Sequence, residues 1–154
     1  HHEAPPILRE AMVNPATQTM ILADDAEIRK IAEALAEKMQ QRVPVVADDK
    51  ASISTAPLLI IGLQADIDAW LVNRKLPPKP EQIRATGTAQ AWAQMREEGA
   101  PLMLISAKDA ASLEALQRPL PHYGRQSYIA FEGRQAIVKG ILPMNVQWTQ
   151  VKDQ

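Results

Sequence analysis

The stretch "APLLIIGLQADIDAWL", residues 56–71, decides the fold. Its first half, Leu58 to Leu63, is a continuous apolar run with no polar alternation. A strand of that kind is covered on both faces, as central strands of α/β sheets are. The continuation "ADIDAWLVNRKL" sets Ile67, Trp70 and Leu71 at helical spacing, which predicts a short helix with those three inward.

Upstream, "MILADD" offers a strand over Thr19–Leu22, ending on Asp24 and Asp25. "AEIRKIAEALAEKMQQR" then places Ile28, Ile31, Leu35 and Met39 on one helical face, with Asp24 or Asp25 as cap. "VPVVADD" reads as a second, short buried strand. Downstream, the prolines of "PPKPEQIRATG" enforce a loop. "TAQAWAQMREEGAPLMLISA" predicts an antiparallel hairpin turning at residues 97–99. "KDAASLEALQRPL" predicts a third helix with Leu113 and Leu116 inward, capped by Ser106 or Asp109. "SYIAFEGRQAIVKG" predicts a last hairpin around Gly133. The expectation is an α/β fold, residues 3–150 forming one domain. Its mixed sheet has a parallel N-terminal βαβ part and antiparallel hairpins, with three main helices. Trp70 and Trp92 belong to its core, and Trp148 falls in the C-terminal tail.

Composition narrows the function classes. With 46% hydrophobic and 23% charged residues, the chain has globular rather than disordered composition. A net charge of −1 provides no clustered basic excess for nucleic acid. No apolar run is long enough for a membrane span. The absence of cysteine rules out disulfides, thiolate metal sites and cysteine nucleophiles. His1 and His2 read as a tag remnant, which leaves His122 as the one interior imidazole. A zinc site of the H-E-x-x-H type therefore cannot be assembled, and no metal ligand or cofactor is expected. None of Ser52, Ser54, Ser106, Ser112 and Ser127 sits in a nucleophile elbow, and no phosphate loop or dinucleotide motif occurs.

Two groups remain as candidate binding residues. Asp24 and Asp25, like Asp48 and Asp49, follow strands predicted to be parallel, at the edge where such sheets hold ligands. Oxygen ligands there suit magnesium, although a helix cap and a polar turn are the plainer readings. His122, Tyr123 and Arg125 can hold a carboxylate or a sugar by hydrogen bonding and stacking. The plainer reading makes them a loop entering a strand, with Tyr123 half-buried and Gly124 in a turn that disfavours a side chain.

Two family resemblances bear on these residues. "MILADDAEIRKIAEAL" and "PLMLISAKDAASLEAL" look like segments of a response-regulator receiver domain, but Gly62 stands where the phosphoacceptor aspartate would fall. "RPLPHYGRQSYIAFEGRQAIVKGILP", Arg118 to Pro143, resembles a C-terminal region of bacterial aminopeptidase-N-like zinc metallopeptidases of the gluzincin clan. Pro121, His122, Tyr123, Gly124, Ser127 and Tyr128 match its P-H-Y-G-x-x-S core. Lys139, Gly140 and Pro143 match its ending, whereas Leu142 replaces the usual tryptophan. With the weaker upstream likeness, the resemblance covers about residues 20–143. It implies a non-catalytic accessory domain beside a catalytic domain of the same chain. The setting it implies is bacterial and periplasmic or extracellular, and the zinc ligands lie outside this sequence. The alternatives are a polysaccharide- or peptide-binding module and a degenerate receiver-like domain.

Overall fold

A computed structural model describes residues 4–47, 55–96 and 100–143. The chain runs through α1 (Leu8–Val13), β1 (Gln18–Leu22), α2 (Ala26–Gln40), β2 (Leu58–Leu63), α3 (Gln64–Asn73), β3 (Ala89–Met95), β4 (Pro101–Ala107), α4 (Ala110–Glu114), β5 (Tyr128–Glu132) and β6 (Gln135–Gly140). Single 3₁₀ turns occupy Glu81–Ile83 and Leu120–Tyr123. The sheet order is β1-β2-β4-β3-β5-β6. β1, β2 and β4 are mutually parallel, and the remaining pairings are antiparallel. This is the expected mixed α/β sheet.

Alternating strand residues feed two cores, as a strand's period of two requires. Leu59, Ile61, Met103, Ile105, Ile129 and Phe131 face α1, α2 and α4. Leu58, Ile60, Leu102, Leu104 and Trp92 face α3 and the Glu81–Ile83 turn. On β3 the buried residues of the first face are Ala89, Ala91 and Ala93. The bulk of Trp92 goes to the other face, where it is fully buried.

Each long helix has a local cause. Asp25 caps α2, accepting from the amides of Glu27 (2.8 Å) and Ile28 (3.1 Å). Gln41 ends it in the left-handed region at φ 55°. On its inner face Leu35 and Met39 are buried beside Ala32 and Ala36, with Ile28 and Ile31 partly so. In α3 the inward residues are Ile67, Trp70 and Leu71, as predicted. Asp109 caps α4 through the Ser112 amide at 2.8 Å, and Leu113 and Leu116 are fully buried.

Three expectations need correction. Residues 43–47 are not a buried strand: Val43, Val45 and Val46 are 77%, 54% and 45% exposed. They touch the outer edge of β1 through a single bridge at Thr19–Val46. Pro44 has no amide to donate, and among the described residues no further strand pairs with that edge. Helix α1, absent from the sequence reading, closes one face with Leu8 and Ala11. The third helix is shorter than its segment suggested, because the chain passes into turns after Glu114. Asp48, Asp49, Trp148 and the predicted turn at residues 97–99 lie outside the described residues.

Candidate functional site

The Pro121–Ser127 stretch forms a socket for the segment that enters the domain. Ser127 Oγ donates to the Pro6 carbonyl at 2.6 Å. The amides of Leu8 and Arg9 donate to the carbonyls of Gln126 (2.9 Å) and Gly124 (2.8 Å). Gly124 lies in ordinary helical conformation, φ −60° and ψ −21°, so the expected strained turn is not there. Its need for a small residue is steric instead, since a Cβ would come within 3.2 Å of Arg9 Cβ. Tyr123 is half-buried, its ring edge-on to Phe131 at 5.7 Å with Lys139 Nζ 5.5 Å from its centroid. Gly140 gives Tyr128 room, because a side chain there would meet the Tyr128 ring and hydroxyl.

Beside the socket is a cleft of about 600 Å³. Arg9, Arg42, His122 and Arg125 stand on its walls, and Met12 and Met39 contribute apolar surface. Among the described residues no carboxylate lines it. Arg42 is committed to the Thr17 carbonyl (2.8 Å) and Gln40 Oε1 (3.0 Å). The structure thus unites His122 and Arg125 and adds Arg9 and Arg42, which the sequence reading did not select. Asp24 and Asp25 lie at the other end of β1. Asp25 is spent on its cap, whereas Asp24 borders a cleft of about 790 Å³ with Asp66 and Trp70. Among the described residues no three His, Asp or Glu side chains converge as metal ligands.

A second polar cluster escaped the sequence reading. Lys79 is only 6% exposed, and Gln90 and Ser106 are fully buried. Gln90 Oε1 faces three donors: Lys79 Nζ at 2.7 Å, Ser106 Oγ at 2.8 Å and Gln64 Nε2 at 3.1 Å. Gln90 Nε2 donates to the Thr86 carbonyl at 2.7 Å. Arg84 grips the Lys79 carbonyl through Nε (3.2 Å) and Nη2 (2.7 Å), and Lys79 Nζ lies 5.6 Å from the Trp92 ring centroid. Burial lowers the Lys79 amine from the usual lysine range, and the Asp68 charge opposes that shift.

No family model matches this chain, and neither does any curated protein. The chemistry open to it therefore follows from its two polar sites. The His122 cleft is an exposed cationic surface suited to carboxylates. The Lys79 cluster is a buried, hydrogen-bonded amine beside a small cavity. Gly62, where a receiver would carry its phosphoacceptor, is crowded: a Cβ would lie 3.0 Å from both Leu22 Cβ and Leu22 O.

Proposed function

We propose that this chain is a non-catalytic interaction domain, an accessory module of a larger, exported bacterial metallopeptidase-like protein. The observation that carries this reading is how the P-H-Y-G-x-x-S residues are used. Gly124, Gln126 and Ser127 spend their polar and steric features on holding Pro6–Arg9. A motif devoted to fixing the chain's path into the domain suits a module that keeps a set orientation toward a neighbour. In this reading the neighbour is a catalytic domain of the same chain, and any zinc belongs to it. The test is the gene sequence upstream of the domain. An H-E-x-x-H motif followed by a glutamate about one helix further on is expected. A gene encoding this domain alone would overturn the proposal.

A second reading, a peptide-binding module, is favoured by the cationic cleft. Arg9 and Arg125 make no side-chain hydrogen bond or ion pair among the described residues, so their charge is available to carboxylates of a docked segment. An acidic peptide titrated at low and high salt tests it. Salt-sensitive binding lost in the Arg9→Ala, Arg125→Ala double variant supports the reading, and binding indifferent to both removes it.

A further inference from the structure

In open α/β sheets, ligands settle outside the carboxyl ends of strands where successive connections leave toward opposite faces. β2 and β4 are neighbours of this kind: β2 continues into α3 on one face, and β4 into α4 on the other. Gln64, Gln90, Ser106 and Lys79 meet at that crevice. Pro77, Pro78 and Pro80 stiffen the loop that carries Lys79 inward. A cavity of about 330 Å³ is bounded by Gln64, Asp68, Pro78, Lys79, Arg84 and Ala85.

Two features of this cluster are incomplete without a ligand. An ammonium carries three N–H donors, yet among the described residues Lys79 Nζ makes one hydrogen bond, to Gln90 Oε1, so donor capacity remains for another acceptor. Among the described residues the buried amine is hydrogen-bonded only to a neutral amide, with Asp68 acting as a through-space charge. Buried ammonium groups ordinarily require a paired anion.

We infer that the Lys79 cavity binds a small carboxylate carrying a hydroxyl or amino donor on the adjacent carbon. The carboxylate oxygens meet Lys79 Nζ and the Gln64 amide, and the adjacent donor meets Asp68. Asp68 also selects against ligands of higher negative charge, since sulfate would bring a second charge toward it. Arg84 is the other charged group at the cavity. The site is independent of the cationic cleft, and its outcome leaves the accessory-domain reading untouched.

The experiment is an NMR titration of the protein at pH 6 and low salt with glycolate, using acetate and sulfate as comparison probes. Saturable shifts are expected at Lys79 Cε and at the Gln64 and Gln90 side-chain amides, with glycolate binding at least about threefold tighter than either comparison probe. Lys79→Met keeps the apolar stem and should weaken glycolate at least about tenfold. Should that variant not fold, the wild-type protein decides. Glycolate affinity must fall about tenfold per pH unit above the midpoint of the Lys79 titration, because the ligand requires the protonated amine. Absence of saturation by about 0.1 M glycolate, far weaker than millimolar binding, overturns the proposal. So does sulfate binding as tightly as glycolate, or affinity indifferent to Lys79 protonation.

Discussion

Replacing Gly124 with alanine and with valine separates two explanations for a glycine in the motif. Were a left-handed backbone the reason, any side chain would be costly there, and alanine would suffer almost as much as valine. The backbone lies at φ −60°, a conformation any residue adopts. Alanine therefore faces a single contact, its Cβ 3.2 Å from Arg9 Cβ and 3.7 Å from Arg9 Cα and Cγ. A shift of α1 by a few tenths of an ångström relieves it. Loss of glycine's freedom in the unfolded chain offsets that with about 0.4–1 kcal/mol of stabilisation. Gly124→Ala should thus fall within about 0.5 kcal/mol of wild type. Valine adds two methyl groups on an already tight Cβ and should cost about 1–3 kcal/mol, the usual range for overpacking. Urea unfolding of the three proteins gives the stabilities. Hydrogen exchange gives the location, since the Leu8 and Arg9 amides bond to this loop and should lose protection in the valine variant. Equal losses for alanine and valine would refute the steric account, and a neutral valine would show that α1 does not pack against Gly124.

Ser127→Ala strands the Pro6 carbonyl in a buried position and should cost about 1–3 kcal/mol by urea denaturation, with the same loss of amide protection at Leu8. Ile60→Ala, at a fully buried position of β2, should cost about 2–5 kcal/mol; a loss below about 0.5 kcal/mol would make that strand peripheral. Lys79 gives a pH effect of definite sign. Its folded value lies below the usual lysine range, so between the two values the unfolded chain binds the extra proton. Wild-type stability should therefore rise with pH across that window, with the penalty complete below the folded value. Lys79→Met should flatten the rise in urea melts.

The elements legible in the sequence were those with long, unambiguous periodicity. The run Leu58–Leu63 and the 15-residue α2 needed no tertiary context to be recognised. Helix α1 has six residues, too few for a period to emerge, and its first amides bond to carbonyls more than a hundred positions away. The valines of residues 43–47 look like a strand because β-branched residues favour one, but a half-sheltered edge next to Pro44 gives them nothing to pack against. That His122 and Arg125 would be neighbours was legible, since they stand three positions apart in one loop. Arg9 and Arg42 reach that cleft only through the fold. Lys79 was hidden by its neighbours: a lysine among three prolines resembles a solvated loop, and only the facing Trp92 and Gln90 reveal it as interior.

The bond from Ser127 to Pro6 spans 121 positions, which has a consequence for synthesis. At about 5–20 residues per second, roughly 6–24 s pass between the emergence of the two partners. Throughout that interval the backbone of Pro6–Arg9 has no receptor, because residues 124–127 do not yet exist. A ribosome-bound chain arrested before Ser127 should therefore leave α1 open to protease and to chaperone. One arrested well beyond Gly140 should close it.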